Sequence, residues 1–490
     1  MPVWLAGAIV FFTSAAVLVL EILAGRVLAP YVGVTLQTYT GIIGVILAGI
    51  ALGSFYGGRL ADRREPRALL GPIIALGGVL ALASLPIVTV VGPLLASRDP
   101  VAIVLLAFVG FFAPATVLSA VTPTVVKIQL ADLDHTGSVV GRLSALGTTG
   151  AIVGTFFTGF VLLAAFPTPP IVLAVGGTLA AAGMGLWWWL RPRAEHSAAP
   201  LLLAALVAAG LTAGIAGPCQ VESAYFCARV VSDEERPSGR LLVLDTLMHS
   251  YVDLDDPTYL EFSYAQIMGD VLATVFPEGE PVKALHIGGG GFSLPRYLRA
   301  TRPGSESLVL ELDPTLVRLA QDELGLRRGP DLRVRVGDAR LGLREQPDDA
   351  YDLVIGDAFG GLAVPWHLTT VEFVRGVRRT LRPNGIYALN LIDYPPLGFA
   401  RAEAATLAAV FQHIAVIAPP ARLAGREGGN FVLVGSDRPL PFAAIMGRNA
   451  ERGDDDALVT DARLSDFVGD ADVLTDAFAP VDQLLTTRPE

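Results

Sequence analysis

Four short apolar runs in the second half of the chain each end in glycine or in an acidic residue. The runs and the residues that end them are Val282–Ile287 with Gly288–Gly291, Leu308–Leu310 with Glu311 and Asp313, Leu332–Val336 with Asp338, and Leu353–Ile355 with Asp357. Apolar runs of this length are typical of buried strands in a parallel sheet. The carboxyl ends of such strands form the ligand-binding edge of an open sheet, so we expect these groups to meet there.

Each of these groups has a chemical role at such an edge. Glycines let the backbone approach a ligand closely, and a glycine turn before a helix suits a nucleoside or phosphate. Glu311 follows Gly288 by roughly 20 residues, where a carboxylate accepts hydrogen bonds from the ribose hydroxyls. Asp338 can accept from an adenine amino group, and Asp357 can remove a proton from an amine as a general base. Taken singly, each acid is also explained as a helix cap or a solvated turn residue.

The elements around these groups predict an α/β domain preceded by a small β region. Leu241–Asp245 and His249–Leu254 indicate a β-hairpin or a small sheet, and later strands are expected at Gly385–Asn390 and Asn430–Gly435. Helical spacing of apolar residues predicts helices over Thr258–Thr274 and His367–Leu381. The domains expected are a small β region at 218–256, a Rossmann-like domain at 257–440 and a C-terminal tail at 441–490. The sequence has no Cys/His cluster with metal spacing, so no metal is expected.

The first 217 residues have a different composition from the rest. The chain is 52% hydrophobic, and seven apolar segments lie at about 4–24, 36–58, 68–93, 101–122, 143–165, 170–190 and 199–217. A helix of about 20 apolar residues is long enough to cross a bilayer. The first segment lacks a basic n-region, which favours a span over a cleaved signal peptide. We therefore expect a multi-pass helical transmembrane domain of about seven helices, in contact with lipid.

Charge divides the chain at the same place. Residues 1–217 have 10 Lys or Arg and seven Asp or Glu, a charge of +3. The remaining residues have 26 Lys or Arg and 40 Asp or Glu, a charge of −14, which gives the net charge of −11. An acidic second part argues against nucleic acid as a partner. Within the first part, Glu21 and Arg26 lie near the end of the first span, and we expect them either to neutralise each other or to mark a polar site.

Two lines of reasoning disagree about the side of the membrane. Loops rich in basic residues tend to be cytoplasmic. One set of alternate loops has only Arg26 and Arg98, whereas the other set has eight basic residues: Arg59, Arg63, Arg64, Arg67, Lys127, Arg142, Arg191 and Arg193. With seven spans, that bias places the second part of the chain outside. Pairing of Cys219 with Cys227 would agree with an oxidising compartment. Nucleoside cosubstrates, as expected at the glycine turn, are however made in the cytosol.

Several short motifs of the second part resemble those of the spermidine synthase family, the polyamine aminopropyltransferases, in its membrane-fused branch. They are Leu244-Asp245 with Glu261-Phe262-Ser263-Tyr264, Gly288-Gly289-Gly290, Glu311-Leu312-Asp313, Gly337-Asp338-Ala339 and Asp357. Two further runs, Leu20–Arg26 and Leu474–Val481, also resemble that branch. The resemblance covers roughly residues 220–440 and implies a Rossmann-like fold of the class I S-adenosylmethionine type.

The resemblance also implies an activity and a set of roles. The family moves an aminopropyl group from decarboxylated S-adenosylmethionine to a diamine such as putrescine and releases methylthioadenosine. By resemblance, Asp357 is the catalytic base, and the cosubstrate is bound by Gly288, Gly289, Gly290, Glu311, Asp338 and Ala339. Tyr264, Gln266 and His249 are expected to contact the amine. A homodimer is compatible with the resemblance.

The chain departs from the family at positions that hold the amine. Gly291 replaces a usual aspartate, Ala358–Gly361 lacks a second aspartate, and Ala265 replaces a usual histidine or glutamine. Each charge-assisted hydrogen bond contributes about 1.5–3 kcal/mol, so losing two weakens amine binding by roughly 10²–10⁴-fold. Two alternatives therefore stay open: an S-adenosylmethionine-dependent methyltransferase, and a membrane sensor or transporter without turnover. For transport, the run Gly57–Arg64 resembles a loop of major-facilitator transporters.

Overall fold

The computed structural model describes residues 1–97, 99–130, 136–190, 199–460 and 462–485. They form two compact units. The first unit is Met1–Arg229 with Leu244–Thr246, and the second is Val230–Val243 with Leu247–Glu490. The first unit therefore continues past the boundary expected at residue 217, because it includes part of the small β region.

Six helices of the first unit are long and apolar enough to cross a membrane. They are α1 Val3–Val32, α2 Leu36–Arg63, α3 Pro66–Leu94, α4 Pro100–Gln129, α5 Thr136–Ala165 and α6 Thr168–Leu190. The seventh expected span forms a shorter helix, α7 Ala199–Gly214, of 16 residues. At 1.5 Å per residue it is about 24 Å long, less than the hydrocarbon thickness of about 30 Å. Arg98, Arg191 and Arg193, used in the loop argument, lie outside the described residues.

Glycines let the helices of the first unit pack closely. A Cβ added at Gly78 in α3 would lie 2.4 Å from the backbone nitrogen of Ala180 in α6, and one at Gly150 in α5 would lie 2.1 Å from the carbonyl oxygen of Phe11 in α1. Close approach of backbones at small residues is also typical of helices that associate within a bilayer.

Polar contacts define the two ends of this helical unit. At one end, Lys127 Nζ lies 2.8 Å from Asp62 Oδ1, and the Gln129 amide donates to the carbonyl oxygen of Met1 at 3.0 Å. These contacts place the amino end of α1 beside the carboxyl ends of α2 and α4. The basic loop residues Arg63 and Arg64 belong to the same end.

At the other end, Arg26 pairs with Glu222 and not with Glu21. Arg26 Nε lies 3.3 Å from Glu222 Oε1, and the backbone nitrogen of Thr168 donates to Glu222 Oε2 at 2.9 Å. Residues five apart on a helix are separated by about 140° around its axis, so Glu21 and Arg26 lie on different faces. Glu222 thus lies where α1 ends and α6 begins.

The small β region is a four-stranded sheet. Its strands, in sequential order, are β1 Val221–Glu222, β2 Cys227–Ser232, β3 Gly239–Leu244 and β4 Leu247–Asp253. The adjacent β3 and β4 agree with the hairpin expected there. A disulfide joins Cys219 and Cys227.

The α/β domain is built on an eight-stranded sheet with the order β12-β10-β11-β9-β8-β5-β6-β7. Its strands are β5 Lys283–Ile287, β6 Glu306–Glu311, β7 Leu332–Val336, β8 Tyr351–Gly356, β9 Leu381–Asp393, β10 His413–Ala418, β11 Gly429–Ser436 and β12 Ala457–Thr460. Strands β5 to β9 pair in parallel, whereas β9, β10, β11 and β12 pair antiparallel with one another. The fold is the Rossmann-like arrangement expected from the sequence.

Helices cover both faces of this sheet. They are α8 Ser263–Val275, α9 Ser293–Thr301, α10 Pro314–Glu323, α11 Ala339–Arg344, α12 Val371–Thr380, α13 Gly398–Ala408, α14 Phe442–Glu451 and α15 Ala462–Val468, with short turns at Trp366–Leu368, Pro420–Leu423 and Val481–Leu484. Successive strand residues point to opposite faces, so Leu285 and Val354 enter one apolar layer while Ala284 and Leu353 enter the other.

Three boundaries differ from expectation. The helix expected from Thr258 begins at Ser263, and the one expected from His367 begins at Val371, where the Thr370 side chain accepts from the backbone nitrogen of Phe373. Within the range 441–490, expected as a C-terminal tail, the described residues 441–460 and 462–485 include strand β12. They add β12 to the edge of the sheet, where Val416 pairs with Val459. The unpaired edge of β10 explains this addition, because an exposed strand edge offers hydrogen bonds to another strand.

Candidate active site at the carboxyl edge of the parallel strands

The predicted ligand groups meet beside the central strand β5. In the register of the sheet, Ile287 lies opposite both Leu310 of β6 and Gly356 of β8. The backbone nitrogen of Gly288 donates to the Leu310 carbonyl oxygen, and that of Asp357 donates to the Ile287 carbonyl oxygen, each at 2.9 Å. The glycine turn therefore lies between the strand ends that carry Glu311 and Asp357.

The glycine turn has a shape that other residues do not adopt easily. Gly288 and Gly290 have φ values of 92° and 50°. A Cβ added at Gly288 would lie 2.3 Å from the carbonyl oxygen of Asp357. The turn is also held from the small β region, because the backbone nitrogen of Gly291 donates to Ser250 Oγ at 3.0 Å. Helix α9 begins just after the turn, at Ser293, as a nucleoside-binding turn requires.

Glu311 organises the turn from the next strand. Its side chain is 6% exposed, and its Oε2 accepts from the backbone nitrogens of Gly289 at 2.8 Å and Gly290 at 3.3 Å. Its Oε1 accepts from the backbone nitrogen of Asp313 at 2.8 Å. Burial raises the pKa of Glu311, and these backbone hydrogen bonds oppose the rise. A carboxylate has about four acceptor sites, so capacity remains for a ribose hydroxyl.

Asp338 caps a helix and contacts a histidine. Its Oδ1 accepts from the backbone nitrogen of Leu341 at 2.9 Å, at the start of α11, and its Oδ2 lies 3.1 Å from His367 Nε2. Ala339, next to it, is buried. The capping role considered from the sequence is therefore present, and the adenine contact stays a prediction. His367 was not singled out as a site residue.

Asp357 has a donor on each oxygen. Tyr264 Oη donates to Oδ2 at 3.2 Å, and Asn390 Nδ2 donates to Oδ1 at 2.9 Å. Burial raises the pKa of Asp357 to about 6, and the two hydrogen bonds oppose that rise. An acid with this pKa is ionised at neutral pH yet close enough to exchange a proton, which suits a general base.

Asp357 lines a cavity of about 290 Å³. The lining residues are Leu247, Met248, His249, Glu261, Phe262, Ser263, Tyr264, Asp357, Phe359, Gly361, Asn390, Ile392 and Asn430. Burial lowers the pKa of His249 to about 4, so this imidazole is neutral at pH 7. The cavity therefore combines two carboxylates with neutral polar groups and apolar side chains.

Two of the three predicted amine contacts lie in the cavity wall. Tyr264 and His249 line it, whereas the Gln266 amide donates to the carbonyl oxygen of Leu260 at 2.7 Å and is not among the lining residues. A role of Gln266 toward the amine stays a prediction. Among the described residues, no group of three or more His, Cys, Asp or Glu is arranged to hold a metal.

Sequence reasoning missed Glu261, Asn390 and Asn430 as site residues. Glu261 was quoted only as part of a motif, and it accepts from the Tyr259 hydroxyl. Asn390 carried a signal, since it is a single polar residue within the otherwise apolar stretch 387–391 of β9, and a buried polar group needs partners. No sequence signal marked Asn430, because its contact with Asn390 depends on β11 lying beside β9.

No family model matches the sequence. A polyamine aminopropyltransferase of Vibrio vulnificus is 30% identical over 185 residues, which cover 37% of this chain and 58% of that protein. Polyamine aminopropyltransferase 2 of Streptomyces coelicolor is 29% identical over 347 residues, covering 66% of this chain and 61% of that protein. The chain thus spans about three fifths of the length of these curated relatives.

A solved structure agrees with the sequence relatives. A probable spermidine synthase from Corynebacterium glutamicum is 29% identical, with a TM-score of 0.50, over 55% of this chain and 98% of that one. The similarity therefore extends to nearly the whole of a separately folded protein. In its sheet and in these likenesses the chain is similar to proteins of the spermidine synthase family.

Proposed function

We propose that this protein is a membrane-bound aminopropyltransferase that moves an aminopropyl group from decarboxylated S-adenosylmethionine to a diamine such as putrescine. The observation that carries the proposal is the position of Asp357. Its carboxylate lies beside the glycine turn and also lines the cavity, so one group adjoins both the nucleoside side and the amine side of the site. The 30% identity to a polyamine aminopropyltransferase supports the same reaction.

The nucleoside side of the site fits an adenosine group. Glu311, with acceptor capacity left, is proposed to bind the ribose hydroxyls, and the turn Gly288–Gly290 lets the backbone approach the nucleoside. Asp338 and Ala339 are proposed to contact the adenine. Bound there, the cosubstrate supplies an electrophilic carbon next to a sulfonium.

In the proposed reaction Asp357 removes a proton from the ammonium of the amine. The freed nitrogen lone pair attacks the aminopropyl methylene next to the sulfonium, forming the new carbon–nitrogen bond. The carbon–sulfur bond breaks, and its electron pair stays on sulfur, which leaves as the thioether methylthioadenosine. The alkylated nitrogen stays a secondary ammonium at neutral pH, and Asp357 releases the proton it accepted to solvent to complete the cycle. Since Asp357 has a pKa of about 6, it is ionised and ready to accept at pH 7.

The amine side compensates in part for the acids that the family usually has. Glu261 lines the same cavity as Asp357, and we propose that it binds the second ammonium of a diamine. Phe262 and Phe359, also in the wall, would cover the methylenes between the two charges. The site would then select a cation with two charged ends.

The deciding experiment is product analysis by mass spectrometry. The purified chain receives decarboxylated or intact S-adenosylmethionine with a panel of diamines, alongside an Asp357→Asn control. Methylthioadenosine with an aminopropylated amine, lost in the control, supports the proposal. Formation of S-adenosylhomocysteine would establish methyl transfer in its place. Binding without any product would make the protein a sensor or transporter.

We propose further that the helical unit resides in the cell membrane and that the residues after α7 lie on the non-cytoplasmic side, a placement in which a cosubstrate made in the cytosol would have to cross the membrane. The basic loop residues lie at the end of the unit marked by Asp62 and Lys127, which is the cytoplasmic end by the positive-inside rule. Glu222 is attached at the opposite end, to Arg26 and Thr168. The disulfide between Cys219 and Cys227 fits an oxidising compartment.

A further inference from the structure

The Asp357 carboxylate lies at the end of a row of side chains that crosses three strands. Asp357 follows β8, Asn390 is in β9 and Asn430 is in β11, and these strands are neighbours in the sheet. Asn390 Nδ2 lies 2.9 Å from Asp357 Oδ1, and Asn430 Nδ2 lies 2.9 Å from Asn390 Oδ1. Two consecutive hydrogen bonds therefore run toward the carboxylate.

The direction of both bonds follows from the acceptor at the end of the row. An ionised carboxylate only accepts hydrogen bonds, so Asn390 turns its amide nitrogen toward Asp357 and its oxygen away. Asn390 is 1% exposed, and a buried amide oxygen without a donor is costly. Asn430 supplies that donor. The hydrogen bond from Asn430 therefore favours the orientation in which Asn390 donates to Asp357. It disfavours the flipped orientation, in which the Asn390 oxygen would face Asp357.

We propose that Asn430 is a positioning residue for the reaction, which acts through Asn390 to keep the Asp357 carboxylate oriented and ionised. The inference rests on the proposed role of Asp357 as the base. Asn430 comes from a strand that pairs antiparallel with β9, outside the parallel strands that carry the nucleoside turn. The antiparallel half of the sheet would thus have a part in the chemistry of the parallel half.

The side chains that donate hydrogen bonds to Asp357 are neutral, because no cationic side chain lines the described part of the cavity. Among the described residues that line the cavity, none is Lys or Arg. The other titratable groups there are Tyr264, which donates to the second oxygen of Asp357, His249, which is neutral above pH about 4, and Glu261. Burial raises the pKa of Asp357, and the hydrogen bonds from Asn390 and Tyr264 counter it. Loss of either donor would favour the protonated acid.

The test is a direct titration of Asp357 in the full chain in detergent micelles. The side-chain carboxyl groups of aspartate are labelled with carbon-13, and the Asp357 signal is assigned by its absence in Asp357→Asn. Asn430→Asp keeps the shape but replaces the donor by an acceptor, so Asn390 flips its oxygen toward Asp357. We expect the titration midpoint of Asp357 to rise by about one pH unit, a tenfold gain in proton affinity.

Two variants serve as controls, one for an added surface charge and one for the loss of the donor at position 430. Asn384→Asp introduces the same charge at an exposed position of β9, and it should leave the midpoint unchanged. Asn430→Ser keeps a hydroxyl donor, and it should restore a midpoint closer to that of the wild type than Asn430→Asp gives. A midpoint that stays unchanged in a folded Asn430→Asp protein overturns the inference.

This titration does not depend on turnover. Absence of an aminopropylated product from the wild type would contradict the proposed function while leaving the hydrogen-bond relay measurable. A normal product with an unshifted Asp357 would contradict only the relay.

Discussion

At the scale of single residues, the proposed reaction depends on keeping one buried carboxylate ionised. Asp357 lies where apolar surroundings favour its neutral form, and two neutral donors oppose that tendency. A surface aspartate would be ionised without help, but its low basicity would make it a weak proton acceptor. The environment therefore sets the proton affinity that the proposed reaction needs.

The pH dependence of the rate should report this carboxylate. Because Asp357 must be ionised to act as a base, activity should rise with pH and reach half of its plateau near pH 6. Below that point the rate should fall about tenfold per pH unit. Asp357→Asn should lower the rate by about 10²–10⁴-fold, whereas Asp322→Asn, on the exposed face of α10, should not. A flat profile between pH 5 and 8 would contradict the role of Asp357.

Glu261 should distinguish diamines from monoamines. Glu261→Gln removes one charge from the cavity wall, so KM for a diamine should rise about tenfold, the equivalent of about 1.4 kcal/mol. The value of kcat should change little, because Glu261 is not placed at the reacting nitrogen. A monoamine of similar length provides one control, and Glu278→Gln, at an exposed position outside the lining, provides another. Equal effects on both amines would exclude the proposed contact.

At the scale of elements, the nucleoside turn and the end of β6 form one structure. Glu311 accepts from Gly289 and Gly290, so the carboxylate that is proposed to bind ribose also shapes the turn. Parallel pairing of β5 with β6 brings the two together, since Ile287 lies opposite Leu310. A substitution at Glu311 should therefore also change the conformation of the glycine turn.

Glu311→Gln should weaken nucleoside binding and loosen the turn together. An amide has one oxygen in place of two, so a donor would face the backbone N–H groups that the carboxylate now accepts. We expect Kd for methylthioadenosine to rise about 10- to 100-fold, the equivalent of about 1.4–2.8 kcal/mol. Titration calorimetry measures this, with Glu306→Gln at the exposed start of β6 as the control. Unchanged binding would show that Glu311 has only a structural role.

At the scale of the whole molecule, the polar contacts at the two ends of the helical unit bear on the proposed orientation in the membrane. Asp62 and Lys127 mark one end, and Glu222 with Arg26 marks the other. Helix α7 is short, yet the Thr212 hydroxyl near its end donates to the Leu82 carbonyl oxygen within α3. Beyond α7, Glu222 lies at the end opposite to the basic loops, beside Arg26 and Thr168.

Labelling of cysteines should reveal this orientation. In intact cells, a maleimide that does not cross membranes should label Cys219 and Cys227 after mild reduction. In a variant without these two cysteines, Glu65→Cys, in the basic loop between α2 and α3, should be labelled only after the cells are opened. Labelling of Cys219 and Cys227 only in opened cells would place them in the cytoplasm and would mean that α7 does not cross.

The sequence alone predicted the parallel strands and the groups at their ends. These features are local, because an apolar run that ends in glycine or an acid contains both the strand and its terminal group. Glu311 and Asp357 could be assigned to one edge without knowing any long-range contact. The apolar helices were predicted for the same reason, since a span is read from consecutive residues.

Only the tertiary structure decided which distant residues became partners. Asn430 acts on Asp357 because β11 lies next to β9, an order that does not follow the sequence. Arg26 pairs with Glu222, nearly 200 residues away, in preference to Glu21 in its own helix. Burial likewise raised the proton affinity of Asp357, and this burial comes from all the elements packed around the carboxylate. Such properties depend on the assembled neighbours, which local patterns in a sequence do not specify.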